Sequence, residues 1–568
     1  MDAQSHQPRN IVGSEDFEKL PKKPVSRRAL LKLGLLGTAA TTLAGIDALA
    51  WVPKRIAHAT PSGSSFSDIQ FDIGNFIAPA QTINGVLFRF GPVFTIFLTA
   101  QLNWTPSRED QDELAEALNT IEAVYPFSPS GIFTFISYGL PYFSKLPGGL
   151  TGRLVSSAMP RLLSDNSRYA LEEAVPSPTD VTPGGSITKQ TFNVPVAIES
   201  NDVLFTFRSD HLGNIYDVVN WLLGSDELGE YFVSSPDFAF TGLFNYTTIR
   251  TQFTQIGLPR QVANQNNLPF AGRVNPTTPM WMGFSDQQVA ASGPAPIVTF
   301  VGNSSARFTT ATSGSYFDNG SMQHLSHVIQ DLNQFYAQPA EPFTERVQYM
   351  FRTDPIPSLG NQDQFTDGGG TAFLANDASV FLKYQTQGVT EASQTGLDLG
   401  PFGDDRNPIN DPEPPSSPDP NDVGKRRPRM GHLSALQISS RASDGTPVHI
   451  RMDGPGFSAG DVPDGSKQAK LQFTVFVPTA DFFRTLRSNQ AALQFQAPQD
   501  NNGNPTGLGV HSDDNGIERF LTATRRQNYL IPPRRNRAFP LVEFTYSSQS
   551  HPHPRTRKPL SRSRIKNL

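Results

Sequence analysis

Three short segments hold side chains that could act together on a bound metal. Asp286 ends the segment Gly283-Phe284-Ser285-Asp286, and His432 and Arg451 lie further along, nineteen residues apart. A neutral imidazole can donate to iron, a carboxylate can carry a proton, and a guanidinium can stabilise negative charge without titrating. Taken singly, each segment is typical of a turn or a surface loop. Their order, and the apolar strands predicted around them, favour one shared site.

A second histidine lies in the same region. His449 stands two residues before Arg451, in His449-Ile450-Arg451, and no arginine occurs between 452 and 483. From the residues alone, either His432 or His449 could be a metal ligand.

The histidines of the segment 322–336 suggest a second metal hypothesis. Apolar residues recur there at helical spacing, which predicts a helix with His324, His327 and Asp331 together on its other side. Their spacing of three and seven residues could hold a metal ion. A solvated polar face of a helix is the more ordinary interpretation of such residues, and we favour it.

Composition limits the chemistry that the chain can use. The 568 residues are enough for two to four domains, and 48 Pro with 45 Gly indicate a loop-rich globular protein. The chain has no cysteine, which excludes disulfides, thiolate-bound haem, cysteine-bound iron–sulfur clusters and a cysteine nucleophile. A net charge of -5 gives no general attraction to nucleic acid.

The N-terminus resembles an export signal. Ser26-Arg27-Arg28-Ala29-Leu30-Leu31-Lys32 places paired arginines before a moderately apolar run, as in signals for the twin-arginine export machinery. Small residues allow cleavage after Ala50 or after Ala59, and retention as a membrane anchor is the alternative. We therefore expect a periplasmic or extracellular protein. Proteins that use this machinery fold before export, often around a cofactor.

Regular elements are predicted in both halves of the chain. Apolar, β-branched and aromatic runs predict strands at 92–102, 132–138, 202–208, 296–301 and 471–477. Helical spacing of apolar residues predicts helices from Ser107, from near Asp210, over 322–336 and after Pro478. Strand-then-helix units in both halves predict an α+β protein built from antiparallel sheets with helices on one face.

The domain prediction divides the chain into four parts. Residues 1–59 form the signal and a polar N-terminus, 60–290 an N-terminal domain, and 291–545 a C-terminal domain. The segment 404–428 is rich in proline and has no apolar run, so it is predicted to be a linker-like insertion. Residues 546–568 form a basic tail, which we expect to be solvated.

The three segments in this order resemble the dye-decolourising (DyP-type) haem peroxidases, as a divergent member. That family has a Gly-x-x-Asp-Gly motif, then a proximal histidine, then a distal arginine before a strand. The runs 131–139 and 201–207 also fall where strands of the family's first domain lie. Two positions depart from the pattern, because Gln287 replaces the second glycine and Ser434 replaces an arginine after the histidine.

The resemblance implies two ferredoxin-like halves of the dimeric α/β-barrel type, with haem b in the second. It implies His432 as the proximal iron ligand, Asp286 as the distal acid and Arg451 as the distal cation. His449 is the alternative ligand, because His449-Ile450-Arg451 resembles the family's proximal segment. With iron on His449, no arginine between 452 and 483 could serve as the distal cation, so His432 is favoured. Hydrogen peroxide and an electron donor would be the substrates, and assembly into a homo-oligomer stays open. The alternatives are a haem carrier without turnover, and an exported, non-enzymatic relative of the same fold that lacks haem and binds other molecules or serves structurally.

Overall fold

The computed structural model describes residues 66–79, 81–83, 86–88, 91–274, 276, 279–282, 295–302, 307–337, 448–491 and 517–545. Its strands are β1 (Gln81–Ile83), β2 (Val86–Phe88), β3 (Phe94–Leu102), β4 (Phe133–Gly139), β5 (Ala197–Ile198), β6 (Val203–Ser209), β7 (Glu227–Leu228), β8 (Tyr231–Phe232), β9 (Phe244–Phe253), β10 (Ser321–Gln330), β11 (Ile450–Arg451), β12 (Gly454–Ser458), β13 (Gln468–Val477) and β14 (Leu521–Ile531). Its α-helices are α1 (Arg108–Val124), α2 (Leu140–Lys145), α3 (Arg153–Ala158), α4 (Leu212–Leu222), α5 (Phe238–Thr241), α6 (Leu258–Gln265), α7 (Leu332–Ala337) and α8 (Ala480–Gln490).

The first half has the order β3-α1-β4-β6-α4-β9. Its four strands pair antiparallel in the spatial order β4-β6-β3-β9. A βαββαβ chain with this strand order is ferredoxin-like, as predicted. The predicted strands at 92–102, 132–138 and 202–208 and the helix near Asp210 are therefore confirmed.

Local sequence explains where α1 begins. The Ser107 side chain accepts from the Asp110 backbone N–H at 3.2 Å, and the Asp110 carboxylate accepts from the Ser107 backbone N–H at 2.8 Å. This is a capping box, which satisfies two backbone donors that the first turn leaves open. Leu114, Leu118 and Ile121 form the buried stripe that holds the helix against the sheet.

The second half repeats the plan with strands β10, β13 and β14 and helix α8. The strands pair antiparallel in the order β11-β13-β10-β14, and β12 also pairs with β13. The strand predicted at 471–477 and the helix after Pro478 are confirmed. The predicted helix over 322–336 is wrong, because residues 321–330 form β10 and only 332–337 are helical.

The two halves share one sheet that curls into a barrel. β14 pairs with β4, with Tyr529 opposite Gly139, and so joins the halves at one edge. At the other edge β12 lies against β9, where the Gln252 amide donates to the Met452 carbonyl at 2.9 Å. One face of the sheet therefore lines the barrel interior, and the other carries helices such as α8. We call these the interior and the helix side.

One end of the interior is filled by apolar side chains. The N-terminal segment from Ile69 to Ile73 enters this core, and Phe71 stacks on Phe476 with ring centroids 4.4 Å apart. Gln70 anchors the segment, since its side-chain amide donates to the Ile136 and Pro532 carbonyls. Burial of these aromatic rings supplies much of the stabilisation at this end.

Several predictions fall outside these elements. The strand predicted at 296–301 is wrong, because Ala295–Val298 form a 3-10 helix. The export signal, the boundary near 290, the insertion 404–428 and the tail 546–568 lie outside the described residues. None of the described helices is long and apolar enough to cross a membrane.

Candidate functional site

Arg451 lies on an edge strand of the second half. In β11 it stands opposite Val475 of β13, and Val475 stands opposite His324 of β10. Because paired residues project from the same face of a sheet, Arg451 and His324 both point to the helix side. Arg451 is half-buried, which is a suitable setting for a cation that meets a ligand from solvent.

The other two predicted site residues are not in the described part of the chain. Asp286 and His432 both lie outside it, so the three predicted groups cannot be compared in space. His449, the alternative ligand, is described and is buried just before β11. The choice between His432 and His449 therefore stays a prediction.

His324 occupies the helix side beside Arg451 and is fully held by the protein. Its Nδ1 lies 2.7 Å from Asn528 Oδ1, its Nε2 bonds the Ser326 hydroxyl, and Phe483 of α8 stacks on its ring. Burial, and then the nearby Arg526 cation, hold the pKa of His324 well below 6.5. The ring is therefore neutral at physiological pH, and both of its nitrogens are engaged.

Arg526 continues this network on the helix side. Its guanidinium makes a two-point contact with Asp180, at 2.7 and 2.8 Å, and donates to Ser326 Oγ at 2.7 Å. Both charges are almost fully buried. A buried pair of this geometry fixes the position of the strand strongly, because either charge left alone would be costly.

The metal hypothesis for His324, His327 and Asp331 fails on geometry. On a strand, residues three apart project from opposite faces, so His324 points to the helix side and His327 to the interior. Their favoured interpretation as a solvated face is also wrong, since all three residues are buried. Across the described ranges, no three His, Asp or Glu side chains gather in a way that could hold a metal ion.

The side chains that the structure describes fit a haem only in part. Arg451 fits the role of a distal cation, because it is half-buried on the helix side. His324 does not fit as an iron ligand, because both ring nitrogens are engaged. His327 does not fit either, because its ring lies in the interior, with Nε2 3.5 Å from Asp461 Oδ2. A haem site would therefore depend on Arg451 and on a ligand such as His432 or His449.

The barrel interior holds a set of buried charges that the sequence did not reveal. Arg250 pairs with Glu199, and Glu199 also faces Arg525 at 3.4 Å. Arg525 in turn faces Asp461 at 3.4 Å, and Asp461 pairs with Lys470. We call these five residues, together with His327, the charged layer. It joins β9, β10, β13 and β14 with the residues that follow β5 and β12.

Burial controls protonation in the charged layer. It lowers the pKa of His327 well below 6.5, opposed by Asp461 and reinforced by Lys470 and Arg250. Burial alone would raise the pKa of Asp461, but the Lys470 and Arg525 cations bring it below its ordinary value. At neutral pH His327 is therefore neutral and Asp461 is ionised.

One sequence signal could have found part of this layer. Lys470, Gln472 and Thr474 alternate with apolar residues in a segment that was correctly predicted as a strand. Alternation of polar and apolar residues usually means that the polar face of the strand is solvated, whereas here all three polar residues are fully buried. Polar alternation on a strand of a closed barrel indicates a polar interior.

Comparisons with known proteins give similarity without an assignment. The sequence profile of a family of unknown function (DUF7405) matches residues 92–369, and no curated protein matches the sequence. Similar solved structures include a putative DyP-type peroxidase from Shewanella oneidensis (13% identity, 80% of this chain and 96% of that chain, TM-score 0.41). They also include a DyP-type peroxidase from Cellulomonas bogoriensis (11% identity, 80% and 93%, TM-score 0.41). A variant of DypB from Rhodococcus jostii in complex with haem is a third (11% identity, 78% and 94%, TM-score 0.37). Similarity at this level does not show that this chain shares the activity of those proteins. The α+β barrel architecture rests on the strand pairing described above.

Proposed function

We propose that the chain is an exported, haem-binding, peroxidase-like oxidoreductase that uses hydrogen peroxide as oxidant. The observation that carries the proposal is the position of Arg451, a half-buried cation on an edge strand, facing the helix side of the second ferredoxin-like half. The order of Asp286, His432 and Arg451 along the chain supports it. The electron donor is left open.

Each of the three side chains would have a separate task. His432 would hold the iron through a neutral imidazole nitrogen, and haem b would supply the electrons that break the O–O bond of peroxide. Asp286 would move a proton between the two peroxide oxygens. Arg451 would stabilise the negative charge that develops, and its own charge would not depend on pH over the working range.

The absorption spectrum of the purified, full-length protein tests the haem proposal directly. Protein from a haem-sufficient host is expected to show a Soret band that His432→Ala removes and His449→Ala retains. If His449→Ala removes the band and His432→Ala does not, the ligand assignment is wrong. A folded, colourless wild-type protein refutes haem binding itself.

The role of Arg451 is tested separately from haem loading. Arg451→Leu is expected to keep the Soret band while lowering the rate of the reaction with peroxide by about 100-fold, a usual loss for a group that stabilises developing charge. Arg484→Leu, an exposed arginine on α8, is the matched control and should react at the wild-type rate. An unchanged rate in Arg451→Leu would show that Arg451 takes no part in the reaction with peroxide.

Packing beside Arg451 favours a second candidate, a haem-free relative that acts as a binding or structural protein. On β10, the next strand but one, His324 stacks on Phe483 of α8 with ring centroids 3.4 Å apart, and the two rings already fill this part of the helix side. Colour without peroxide turnover would indicate a haem carrier, whereas a colourless, stable protein would support this candidate.

Export is a proposal of its own. The Arg27-Arg28 pair would direct the folded protein to the twin-arginine machinery. Replacing both arginines by lysine is expected to retain the protein in the cytoplasm, measured by fractionation of the cells. Continued export of that variant would show that another signal is used.

A further inference from the structure

We propose that the charged layer of the barrel interior binds a small monoanion of the carboxylate class, with Arg250 as its principal partner. The site lies on the opposite side of the sheet from Arg451 and does not depend on the haem proposal. It is built entirely from described residues on several strands, which gives it a rigid frame.

Arg250 supplies the first reason for this assignment. Its side chain is 2% exposed, and Nη2 pairs with Glu199. Its Nε and Nη1 have no hydrogen-bond partner among the described residues. Nη1 and the second N–H of Nη2 form one edge of the guanidinium, which matches the two oxygens of a carboxylate, and Nε donates from the other edge. Buried donors of this kind ordinarily find a partner, so an acceptor from a ligand would complete the set.

Neighbouring polar groups point to the same place. The Gln472 amide, the Thr474 hydroxyl and His327 Nε2 are buried in the interior without a hydrogen-bond partner in the described part of the chain. Gln472 reaches the seam between β9 and β12, because a Cβ added at Gly456 would lie 2.8 Å from the Thr251 carbonyl and 3.4 Å from Gln472 Nε2. Thr251 adjoins Arg250 on β9, and Arg250 lies near enough to His327 and Lys470 to lower the pKa of both.

The charge balance gives the charge of the ligand. Arg250, Arg525 and Lys470 carry three positive charges, whereas Glu199 and Asp461 carry two negative charges, and His327 is neutral. One positive charge is therefore left over. Arg525 is 37% exposed and so lies at the solvent boundary, while Arg250 is inside. A single negative charge entering past Arg525 would balance the layer, and a dianion would exceed the balance.

Binding is tested with sodium acetate and sodium benzoate on the full-length protein, with sodium chloride at equal ionic strength as reference. Each carboxylate is expected to raise the unfolding temperature saturably and to give a 1:1 isotherm by calorimetry. Sodium sulfate should bind more weakly than acetate. Equal or tighter sulfate binding would contradict a monoanion site, and no effect beyond that of chloride would contradict the site itself.

The test variant replaces both Arg250 and Glu199, so that neither charge of this buried pair is left alone. Arg250→Met with Glu199→Gln is expected to weaken acetate binding by about tenfold or more, the usual effect of losing a charge-assisted hydrogen bond. Arg108→Gln, which removes an exposed arginine on α1, is the matched control and should bind acetate as the wild type does. Equal acetate affinity in the double variant would overturn the proposal.

A second measurement uses only the wild-type protein, and therefore decides the matter even if the double variant does not fold. Crystals soaked in sodium 4-bromobenzoate are expected to show an anomalous bromine peak beside the Arg250 guanidinium. Competition by acetate should reduce that peak. Bromine peaks confined to exposed lysines and arginines would overturn the assignment.

Discussion

Replacement of His324 should change how the stability of the protein depends on pH. The ring is fully buried, and the Arg526 cation donates to Ser326, which in turn contacts His324 Nε2. Asn528 Oδ1 can only accept, so Nδ1 carries the proton and Nε2 accepts from Ser326. A second proton on Nε2 would break this series of hydrogen bonds and place a second cation near Arg526.

The sign and size of the effect follow from this arrangement. In the folded protein the pKa of His324 lies well below its usual value of 6.5, which the unfolded chain retains. Below about pH 6.5 the unfolded chain therefore takes up a proton that the folded protein excludes, and the free energy of unfolding falls as the pH falls. One histidine contributes a slope of about 1.4 kcal/mol per pH unit until its folded-state pKa is reached.

Urea unfolding of wild-type protein and His324→Gln at several pH values between 5 and 8 measures this slope. The variant should lose about 1–3 kcal/mol between pH 7 and 8, because Asn528 and Ser326 lose their partner, and the loss should shrink below pH 6.5. Its slope below pH 6.5 should be smaller than that of the wild type by about 1.4 kcal/mol per pH unit. His327 is present in both proteins, so the difference in slope isolates His324.

His211→Gln is the control, since His211 is exposed at the start of α4 and its replacement should leave the slope unchanged. Equal slopes in the wild type and His324→Gln would refute the reasoning, whatever the change in stability at pH 8. Such a result would mean that the ring gains its proton without disturbing the network.

Three further changes test the frame around the site, each by urea unfolding at pH 7. Ser107→Ala should cost about 1 kcal/mol, because it removes the capping box of α1, and no loss would mean that the cap is not formed. Asp180→Ala should cost about 3–5 kcal/mol, because it leaves the Arg526 cation buried alone; a loss below 1 kcal/mol would show that water reaches it. Gly456→Ala should cost about 1–3 kcal/mol, because its Cβ would lie 2.8 Å from the Thr251 carbonyl, and a neutral result would mean that the seam between β9 and β12 can open.

The sequence predicted the first half of the fold well because its signals are local. In β3, Phe94, Ile96 and Leu98 on one face of the sheet and Phe97 on the other are apolar and buried, and most of them are aromatic or β-branched. The start of α1 follows from Ser107 and Asp110, which contact each other within one turn. Neither element needs knowledge of a distant partner.

The prediction for 322–336 failed because β10 has two different environments. On the helix side Met322 and His324 are buried, and in the interior Leu325 and His327 are buried. A strand with polar and apolar residues on both faces has no alternation of period two. The apolar residues that remain happen to recur at helical spacing, so the pattern indicated a helix.

The charged layer could not be found because its members are far apart in sequence. Arg250 and Glu199 meet only because β9 and the residues after β5 both line the same barrel, and Arg525 comes from the other half of the chain. Strand pairing between the halves creates these contacts. A single sequence shows the charges but not the closure of the sheet that buries them.

The two proposed sites are independent because of the alternation of β13. Val475 points to the helix side in the row that contains Arg451, whereas its neighbour Thr474 points to the interior with the charged layer. Loss of peroxide activity in Arg451→Leu should therefore leave acetate binding intact. Loss of acetate binding in the Arg250 and Glu199 double variant should likewise leave the Soret band intact. If each variant removed both properties, the sheet would not separate the two sites, and the assignment of faces argued here from strand register would have to be revised.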